Sequence, residues 1–338
     1  MTVECVTNHR LKSASNLLKK ILIEARMRAL VVDLGGSHGT CGVVEDTKLL
    51  AHEVVDAKGA KSLLAILPEI VRSFRRMLSD LGLTTADCAG VAMGLPAIVD
   101  ARSGRVLSTR TKYEDATNVD LTSWFRAELG MEFRLENDAR MALLGERYTG
   151  AAAGFSDIVM MTLGTGIGGT AMIAGKLLRG KHSQAGCLGG HLPVLYNGRR
   201  CICGAVGCAE AEAAGWSLPL VAKEWSGIAT SKLAACTHLN FQQLFEAAAE
   251  QDTVACEIRD RCLEIWGVAA LSMVHAYDPE ILVVGGGVMK SAQNILPAIQ
   301  KYLDEHAWTD WGKVRVDAAQ LGNNAALFGA VPLLTERF

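Results

Sequence analysis

Three short apolar runs in this sequence end directly at glycines, and this pattern constrains the fold more than any other feature. The runs are residues 29–33, 158–163 and 281–284, and the first glycines after them are Gly35, Gly164 and Gly285. Apolar runs of this length with a glycine boundary are typical of buried β-strands. A second strand-like run follows the first two glycine clusters, which predicts two β-hairpins, whereas a helical pattern follows the third. Strands and helices therefore alternate in both halves of the chain, which predicts an α/β fold.

Length and charge narrow the possible functions. The chain has 338 residues, of which 50% are apolar and 21% charged, and this is typical of a globular protein with two domains. Its formal net charge of −2 leaves no excess of positive charge for a DNA or RNA backbone, so we expect no nucleic-acid partner. No stretch approaches the roughly 18 consecutive apolar residues of a transmembrane helix, and the N-terminus lacks the order of a signal peptide. We therefore expect a cytoplasmic protein without a membrane partner.

Residues 1–28 precede the first predicted strand as an N-terminal extension. Leu17, Leu18, Ile21 and Leu22 repeat at helical spacing between charged residues, which predicts a short amphipathic helix. Such a helix can be a membrane or targeting element, but a packing helix or a frayed extension is the commoner interpretation.

Two glycine-rich stretches resemble nucleotide-binding motifs only superficially. Residues 164–169 match the GxGxxG dinucleotide fingerprint, but that motif must open a helix, and residues 170–173 have the pattern of a strand. Residues 175–181 nearly match a Walker A loop, yet His182 stands where Mg²⁺ coordination needs a Ser or Thr hydroxyl. The sequence therefore favours neither a Rossmann site nor a P-loop.

A cluster of cysteines is the strongest local signal for a metal. Cys201, Cys203 and Cys208 lie in the segment CICGAVGC, and His191 precedes the first of them by ten residues. Three thiolates and an imidazole form a closed tetrahedral set that suits structural Zn²⁺. The alternative is three reduced cysteines in a glycine-rich loop. The other seven cysteines lack such spacing, and we expect them to be small buried hydrophobic side chains.

Asp33 and the glycines after it indicate a phosphate site. Asp33 ends the first strand immediately before Gly35 and Gly36, whose backbone N–H groups can cradle phosphate oxygens while a carboxylate holds Mg²⁺. Acidic strand ends are common, so this pattern alone is weak. The similar glycine turn at residues 164–169 strengthens it, because two facing hairpins can clamp a polyphosphate between two domains. This arrangement indicates phosphoryl transfer.

Asn137 and Asp138 stand directly before a good helical pattern over residues 139–146. Either residue can therefore be no more than a helix N-cap. A carboxylate at a helix start is also well placed to accept the proton of a sugar hydroxyl as that oxygen attacks the γ-phosphoryl group of ATP.

Taken together, these motifs resemble those of the ROK family of sugar kinases and sugar-responsive repressors, a branch of the actin/hexokinase-like ATPases. The resemblance covers the chain from about residue 28 to its C-terminus. The matching segments are residues 33–37 with Ser where Thr is usual, 94–97 with Ala in the last place of GxPG, 136–139, 163–169, the CxCGxxGCxE zinc signature that ends at Glu210, 278–287 and 322–330.

The resemblance implies two RNase H-like α/β domains around an interdomain cleft, where ATP and sugar meet, and often a homodimer. We expect a smaller domain of residues 29–136 and 322–338, and a larger one of residues 137–321 that carries the zinc loop 191–208. By the same resemblance Asp138 is the catalytic base, and the sugar-binding residues are Asn137, Asp138, His191 and Glu210. The implied ligands of ATP and Mg²⁺ are Asp33, Gly35, Gly36, Ser37, Gly164, Thr165, Gly166, Gly168, Gly169, Gly285, Gly286 and Gly287. Those of the structural Zn²⁺ are His191, Cys201, Cys203 and Cys208.

One position departs from the family pattern. The ExGH motif appears here as Leu188-Gly189-Gly190-His191, so a carboxylate expected to bind sugar hydroxyls is missing. This departure leaves several hexoses and amino sugars as candidate substrates.

Two classes of function remain open. One is an ATP-dependent hexose or amino-sugar kinase of the glucokinase type, and the other is a sugar-binding regulator without turnover or DNA binding. Residues 1–28 are too few for the winged helix-turn-helix domain of the family's repressors. The presence of Asp33, Asp138 and both glycine turns favours the kinase.

Overall fold

The structure is a computed structural model that describes residues 26–35, 38–57, 61–109 and 112–337. Within these residues, no helix combines the length and the apolar composition that crossing a bilayer requires. The predicted helix in residues 1–28 lies outside the described residues, as do Gly36 and Ser37 of the first glycine turn.

The described strands form two five-stranded sheets and a short two-stranded ribbon. In chain order they are β1 (Arg28–Leu34), β2 (His38–Glu45), β3 (Lys48–Asp56), β4 (Val91–Leu95), β5 (Ile98–Asp100), β6 (Arg105–Ser108), β7 (Phe133–Asn137), β8 (Ile158–Leu163), β9 (Ile167–Ile173), β10 (Lys176–Leu177), β11 (Ile281–Gly285) and β12 (Arg315–Ala318). The first sheet has the order β3-β2-β1-β4-β7 and the second the order β10-β9-β8-β11-β12, while β5 and β6 make the ribbon.

Both sheets repeat one pattern of strand directions. β1 pairs antiparallel with β2 and parallel with β4, and β8 pairs antiparallel with β9 and parallel with β11. The two predicted hairpins are thereby confirmed. The central parallel strands β4 and β11 are buried along their whole length, as expected for strands covered on both faces.

The described helices cover these sheets. In chain order they are α1 (Leu63–Asp80), α2 (Leu121–Leu129), α3 (Asp138–Thr149), α4 (Ala209–Ala213), α5 (Leu218–Lys223), α6 (Phe241–Ala249), α7 (Thr253–Tyr277), α8 (Ala292–His306), α9 (Ala325–Phe328) and α10 (Ala330–Thr335). α1 packs on the first sheet through a buried stripe at helical spacing that includes Leu63, Leu67, Ile70 and Phe74.

A middle layer of helices lies between the two sheets. Buried side chains of α3, α9 and α10 form one core with residues of β1, β4, β8 and β11. The helices approach closely because glycines stand where they cross: a Cβ on Gly145 would lie 1.9 Å from the carbonyl oxygen of Ala325, and one on Gly329 would lie 2.3 Å from that of Met141. No larger residue fits at either crossing, so α3 is held firmly between the sheets.

The 25-residue helix α7 forms the centre of the second core. Its Trp266 is fully buried, lies 5.1 Å from the ring of Phe241, and donates from Nε1 to the carbonyl oxygen of Ala213 at 3.0 Å. The short helix α4, which carries Glu210, is thereby fixed to the long helix behind it.

As predicted, neither of the two stretches that resemble nucleotide-binding motifs is a strand-to-helix junction. Residues 164–169 run into strand β9, and residues 175–181 contain the short strand β10 followed by turns. The expected closing helix over residues 322–330 is instead a 3-10 turn and two short helices divided at Gly329, which packs closely against Met141 of α3.

The expectation that all the other cysteines are buried is wrong in part. Cys41 and Cys262 are buried, but Cys88, Cys187, Cys236 and Cys256 are only half-buried, and Cys5 lies outside the described residues. The half-buried thiols lie in turns or on a helix edge, where packing covers only one side of the residue.

Candidate active site

The start of helix α3 presents a carboxylate at the end of strand β7. Asn137 is the N-cap, and its Oδ1 accepts a hydrogen bond from the backbone N–H of Arg140 at 3.2 Å. Oδ1 of Asp138 accepts from the backbone N–H of Ala139 at 2.8 Å and from Nδ2 of Asn137 at 2.9 Å. One oxygen of Asp138 is thereby fixed, and burial raises the pKa of its carboxyl group. The capping interpretation is confirmed for Asn137, whereas the role of Asp138 as a base stays a prediction.

Asp33 lies close to Asp138 because β1 and β7 flank the same strand. Asp33 is in register with Gly94 of β4, and a Cβ on Gly94 would lie 3.2 Å from Oδ1 of Asp33 and 3.6 Å from Cα of Asp138. Oδ1 of Asp33 is buried and has no hydrogen-bond partner among the described residues. Burial first, and the charge of Asp138 second, raise the pKa of Asp33 to about 7. An unpartnered carboxylate oxygen of this kind suits a cation such as Mg²⁺.

Sequence analysis missed Tyr113, which lies beside this pair. The residue is buried with φ of 52°, a left-handed conformation that is strained for a tyrosine. Its hydroxyl oxygen has no hydrogen-bond partner among the described residues, and the charge of Asp33 adds to burial in raising the pKa of Tyr113. Nothing in the local pattern marks this residue, because its role depends on a strand 80 residues earlier in the chain.

Behind Asp138, a buried network of charges fixes the end of β7. Glu136 and Arg140 are both fully buried, 3.4 Å apart, and Glu136 also accepts from Nε of Arg179 at 2.6 Å. Arg179 in turn forms two hydrogen bonds of 2.7 and 2.6 Å to Glu336 near the C-terminus. Arg140 donates to three backbone carbonyls of the segment before residue 186. The network therefore ties the first sheet, the second sheet and the C-terminal helices together at one point.

The second glycine turn lies against the start of α3. A Cβ on Gly168 would lie 3.9 Å from the Cβ of Ala139, directly beside Asp138. Oε2 of Glu210 accepts from the backbone N–H of Ile167 at 2.9 Å in the same turn. Glu210 is thus within this site, with one oxygen engaged by the backbone.

The segment carrying Leu188 and His191 packs on the same turn. A Cβ on Gly190 would lie 1.7 Å from the carbonyl oxygen of Ile167, so only glycine allows this approach. Residues Gly189–His191 form a 3-10 turn, and Leu188 before it is 38% exposed. The charge of Asp138 is among the causes that raise the pKa of Cys187, which places this segment near the candidate base. Leu188 therefore exposes an apolar side chain in the segment that packs on the second glycine turn.

A separate cavity of 380 Å³ joins two of the predicted ATP segments. Its walls include Gly164, Thr165 and Gly287 together with Trp216 and Lys290. Gly286 has φ of 96°, and a Cβ there would lie 2.3 Å from the carbonyl oxygen of Leu163, so the ends of β8 and β11 meet. The cavity volume is within the range of about 300–1,000 Å³ found for small-molecule sites.

The predicted metal ligands converge. The ligand atoms of His191, Cys201, Cys203 and Cys208 all lie within 4.8 Å of one another. Nδ1 of His191 is 3.5 Å from Sγ of Cys201, and the sulfurs of Cys203 and Cys208 are 3.6 Å apart. Tetrahedral bonds of about 2.3 Å to zinc separate two sulfurs by roughly 3.8 Å. The four side chains are therefore compatible with Zn²⁺.

A buried carboxylate that sequence analysis missed supports this loop. Glu212 is 1% exposed and accepts from the backbone N–H of Arg199 and, at 2.5 Å, from Nη2 of Arg261 on α7. The loop before the three cysteines is thereby anchored to the core of the second sheet.

We predict that Asp33→Asn stabilises the protein at pH 8 and stabilises it less at pH 5, in the absence of magnesium and nucleotide. The pKa of Asp33 is about 7 in the folded protein, whereas its ordinary value is 3.8. Between pH 3.8 and pH 7 the folded protein therefore keeps a proton on Asp33 that the unfolded chain has lost. The free energy of unfolding therefore falls as the pH rises through this window, by at most about 4 kcal/mol. Thermal unfolding should show a Tm at least about 2 °C higher for the variant at pH 8.

Asp120→Asn is the matched control, because Asp120 caps α2 on the surface by accepting from Ser123. It should lower the Tm slightly at both pH values. An Asp33→Asn variant that is destabilised at pH 8, or that changes Tm equally at both pH values, would contradict the raised pKa.

Comparison with known proteins agrees with this geometry. The model of the ROK family matches residues 29–337. A relative named glucokinase, from Thermotoga maritima, is 31% identical over 322 residues, which are 92% of this chain and 98% of that protein. A solved ROK family glucokinase from Streptomyces griseus, in complex with glucose and AMPPNP, has a TM-score of 0.74 and 29% identity and covers 90% of this chain and 98% of its own.

The matches include a protein that is not named as an enzyme. A relative named xylose repressor, from Caldicellulosiruptor bescii, is 23% identical over 72% of this chain and 62% of its own length. The likeness to the solved kinase confirms the predicted actin/hexokinase-like α/β fold. The chain belongs to the ROK family.

Proposed function

We propose that this protein is an ATP-dependent sugar kinase, which transfers the γ-phosphoryl group of ATP to a hydroxyl of a hexose or amino sugar. The observation that carries the proposal is the position of Asp138 at the start of α3, beside Asp33 on one side and the second glycine turn on the other. Relatives named glucokinase and a solved kinase in complex with glucose and AMPPNP support the same reaction class.

In the proposed mechanism, Asp138 accepts the proton of the sugar hydroxyl as its oxygen attacks the γ-phosphorus. Asn137 and the backbone N–H of Ala139 orient this carboxylate through the bonds to Oδ1. The pKa of this carboxyl group is raised toward neutral pH, and a general base is most effective when its pKa is near the working pH. His191 and Glu210 are the further proposed sugar ligands.

The nucleotide is proposed to bind across the two glycine turns with its adenosine in the 380 Å³ cavity. Backbone N–H groups of the turns bind phosphate oxygens, with Gly35, Gly36 and Ser37 on one side and Gly164, Thr165, Gly166, Gly168 and Gly169 on the other. Asp33 would hold Mg²⁺, which when bound supplies positive charge against the phosphates. Asp33 gives up its proton as it takes on that role.

We further propose that the four converging side chains of the zinc loop hold a structural Zn²⁺. Nδ1 of His191 faces the sulfurs, so its other ring nitrogen remains for a sugar hydroxyl. The metal would thereby stabilise the loop that ends in Glu210. We also propose two domains, a smaller one of residues 29–136 and 322–338 and a larger one of residues 137–321. The protein is further proposed to be a homodimer in the cytoplasm.

The second candidate is a sugar-binding regulator without turnover. It is favoured by Leu188, which stands where the family motif has a carboxylate, and by the repressor among the relatives. An ADP-release screen over hexoses, N-acetylated amino sugars and their epimers separates the two functions. Sugar binding without ADP release for every sugar would support the regulator.

We predict that Asp138→Asn lowers kcat by about 100-fold or more, because asparagine keeps the hydrogen bonds to Oδ1 but cannot accept a proton. Binding of ATP should change little. The measurement is steady-state ADP release, with ATP affinity determined separately by calorimetry. Asp120→Asn is again the control and should retain the wild-type kcat. A near-normal kcat for Asp138→Asn would contradict its role as the base and leave it a purely structural residue.

We predict about one Zn²⁺ per chain, and that Cys203→Ser lowers both the Tm and the sugar affinity. The reason is that loss of one thiolate weakens the metal that fixes His191 and the loop before Glu210. Elemental analysis and thermal unfolding give the two readouts. Cys236→Ser, a half-buried thiol outside the cluster, should change neither. Folded and active wild-type protein with well below one zinc per chain would contradict the proposal.

We predict weak activity on glucose, and a gain of about tenfold or more in kcat/KM for glucose in Leu188→Glu. A hydroxyl pressed against Leu188 loses water without gaining a partner, whereas a carboxylate accepts charge-assisted hydrogen bonds of roughly 1.5–3 kcal/mol each. Sugars that are apolar or lack a group at this position should be the better substrates of the wild type.

Leu220→Glu is the control for the leucine exchange, because Leu220 is also exposed but lies on α5. It should leave the specificity unchanged. Efficient wild-type phosphorylation of glucose with a low KM would show that Gly189 and Gly190 route another acceptor to this hydroxyl.

A further inference from the structure

One cavity of the described residues lies apart from the proposed catalytic residues. It has a volume of 1280 Å³ and lies between α3, the segment after β9, the β5–β6 ribbon and the C-terminal end of the chain. None of the residues proposed above to bind sugar, nucleotide or metal lines it. The cavity therefore needs a separate explanation.

The walls of this cavity are strongly basic. Four segments contribute six permanent cations, against the two carboxylates of Asp100 and Glu336. The cations are Arg102, Arg147, Lys176, Arg179, Lys181 and Arg337. In a chain whose net charge is −2, this is a marked local concentration of positive charge.

Three of these cations form no close ion pair, although Arg147 lies near enough to Glu280 for its charge to help lower the pKa of that carboxyl group. Within the described part of the chain, Arg147, Lys176 and Lys181 form no ion pair within 4.0 Å. Nε of Arg147 is buried and lacks a hydrogen-bond acceptor among the described residues. A buried donor without an acceptor is costly, so the described residues leave part of the Arg147 guanidinium unsatisfied.

Arg179 differs from these three cations, because it already forms ion pairs with Glu136 and Glu336. It belongs to the network behind Asp138 and is not a suitable position for a binding test. Arg140 of the same network donates to the carbonyl oxygens of Leu178 and Ser183 in the segment that carries Arg179.

The rest of the lining limits the class of ligand. Leu107, Leu144, Tyr148, Met172 and Pro332 give an apolar surface beside the cations. The volume exceeds what one phosphate ion fills and is slightly above the range of about 300–1,000 Å³ typical of small-molecule sites. Arg and Lys in such a set are the residues that recognise phosphoryl groups.

We propose that this cavity binds a small phosphorylated polyanion, at a site separate from the nucleotide. Two sources share this chemistry, a sugar phosphate and a short inorganic polyphosphate. The site is defined by binding alone, so it does not depend on the proposed kinase activity.

The test is calorimetric titration of the full chain with inorganic tripolyphosphate and, separately, with glucose 6-phosphate, in buffer containing excess Mg²⁺ and saturating AMPPNP. AMPPNP occupies the nucleotide site and excludes the probes from it, and the variants below distinguish binding in the basic cavity from binding at the proposed sugar site. We expect at least one of the two probes to bind, and its affinity to fall as the salt concentration rises. The probe that binds more tightly identifies the source.

Two variants locate the binding. Arg147→Gln/Lys181→Gln should weaken the affinity at least about tenfold, and Lys181→Gln alone, at an exposed position that folding does not need, should weaken it severalfold. Lys301→Gln removes a cation whose side chain is 75% exposed on α8 and should change nothing. Absence of binding by both probes, loss of binding with AMPPNP, or equal affinity in all variants would overturn the proposal.

Discussion

Asp33 and Asp138 lie close together and are partly buried. Holding two carboxylates in this way costs free energy, and the surrounding contacts keep them in place. Burial removes water from the Asp33 carboxylate, the charge of Asp138 on the other side of one strand repels it, and together these raise the pKa of Asp33 to about 7. The position is forced by the sheet, because β4 carries a glycine in register between β1 and β7. A side chain at Gly94 would contact both residues and would fill the space between them.

The surroundings hold this arrangement through charge as well as packing. Glu136 and Arg140 are fully buried next to Asp138, and Arg179 and Glu336 extend the pair to the C-terminal helices. Glu146 at the other end of α3 is also fully buried and accepts hydrogen bonds from the backbone N–H groups of Gln320 and Leu321. Both ends of α3 are therefore tied to distant parts of the chain, which keeps the candidate base in a fixed position between the sheets.

Much of this structure follows from local sequence patterns. The strand-to-glycine junctions predict the two hairpins, and the Asn137-Asp138 pair before an apolar repeat predicts the capped start of α3. The spacing of Cys201, Cys203 and Cys208 predicts a compact cluster, since close neighbours in the chain need few long-range contacts to meet. The resemblance to the ROK family supplied the order of these parts around one cleft.

Other features depend on contacts between residues far apart in the chain, and no local pattern predicts them. Tyr113 approaches Asp33, Arg179 pairs with Glu336, and Glu212 pairs with Arg261 only after the sheets have formed. The basic cavity is of the same kind, because its cations come from four separate segments. Leu188 is the reverse case, since its departure from the family motif is visible in the sequence but its exposure is visible only in the structure.

The central claim is that Asp138 and Asp33 serve phosphoryl transfer from ATP to a sugar. Phosphorus-31 NMR of the wild-type protein with MgATP and a panel of hexoses and amino sugars tests it directly. The account predicts that a sugar phosphomonoester appears in step with ADP for at least one sugar. Sugars that bind to the protein, while ATP remains intact or yields only inorganic phosphate, would contradict it.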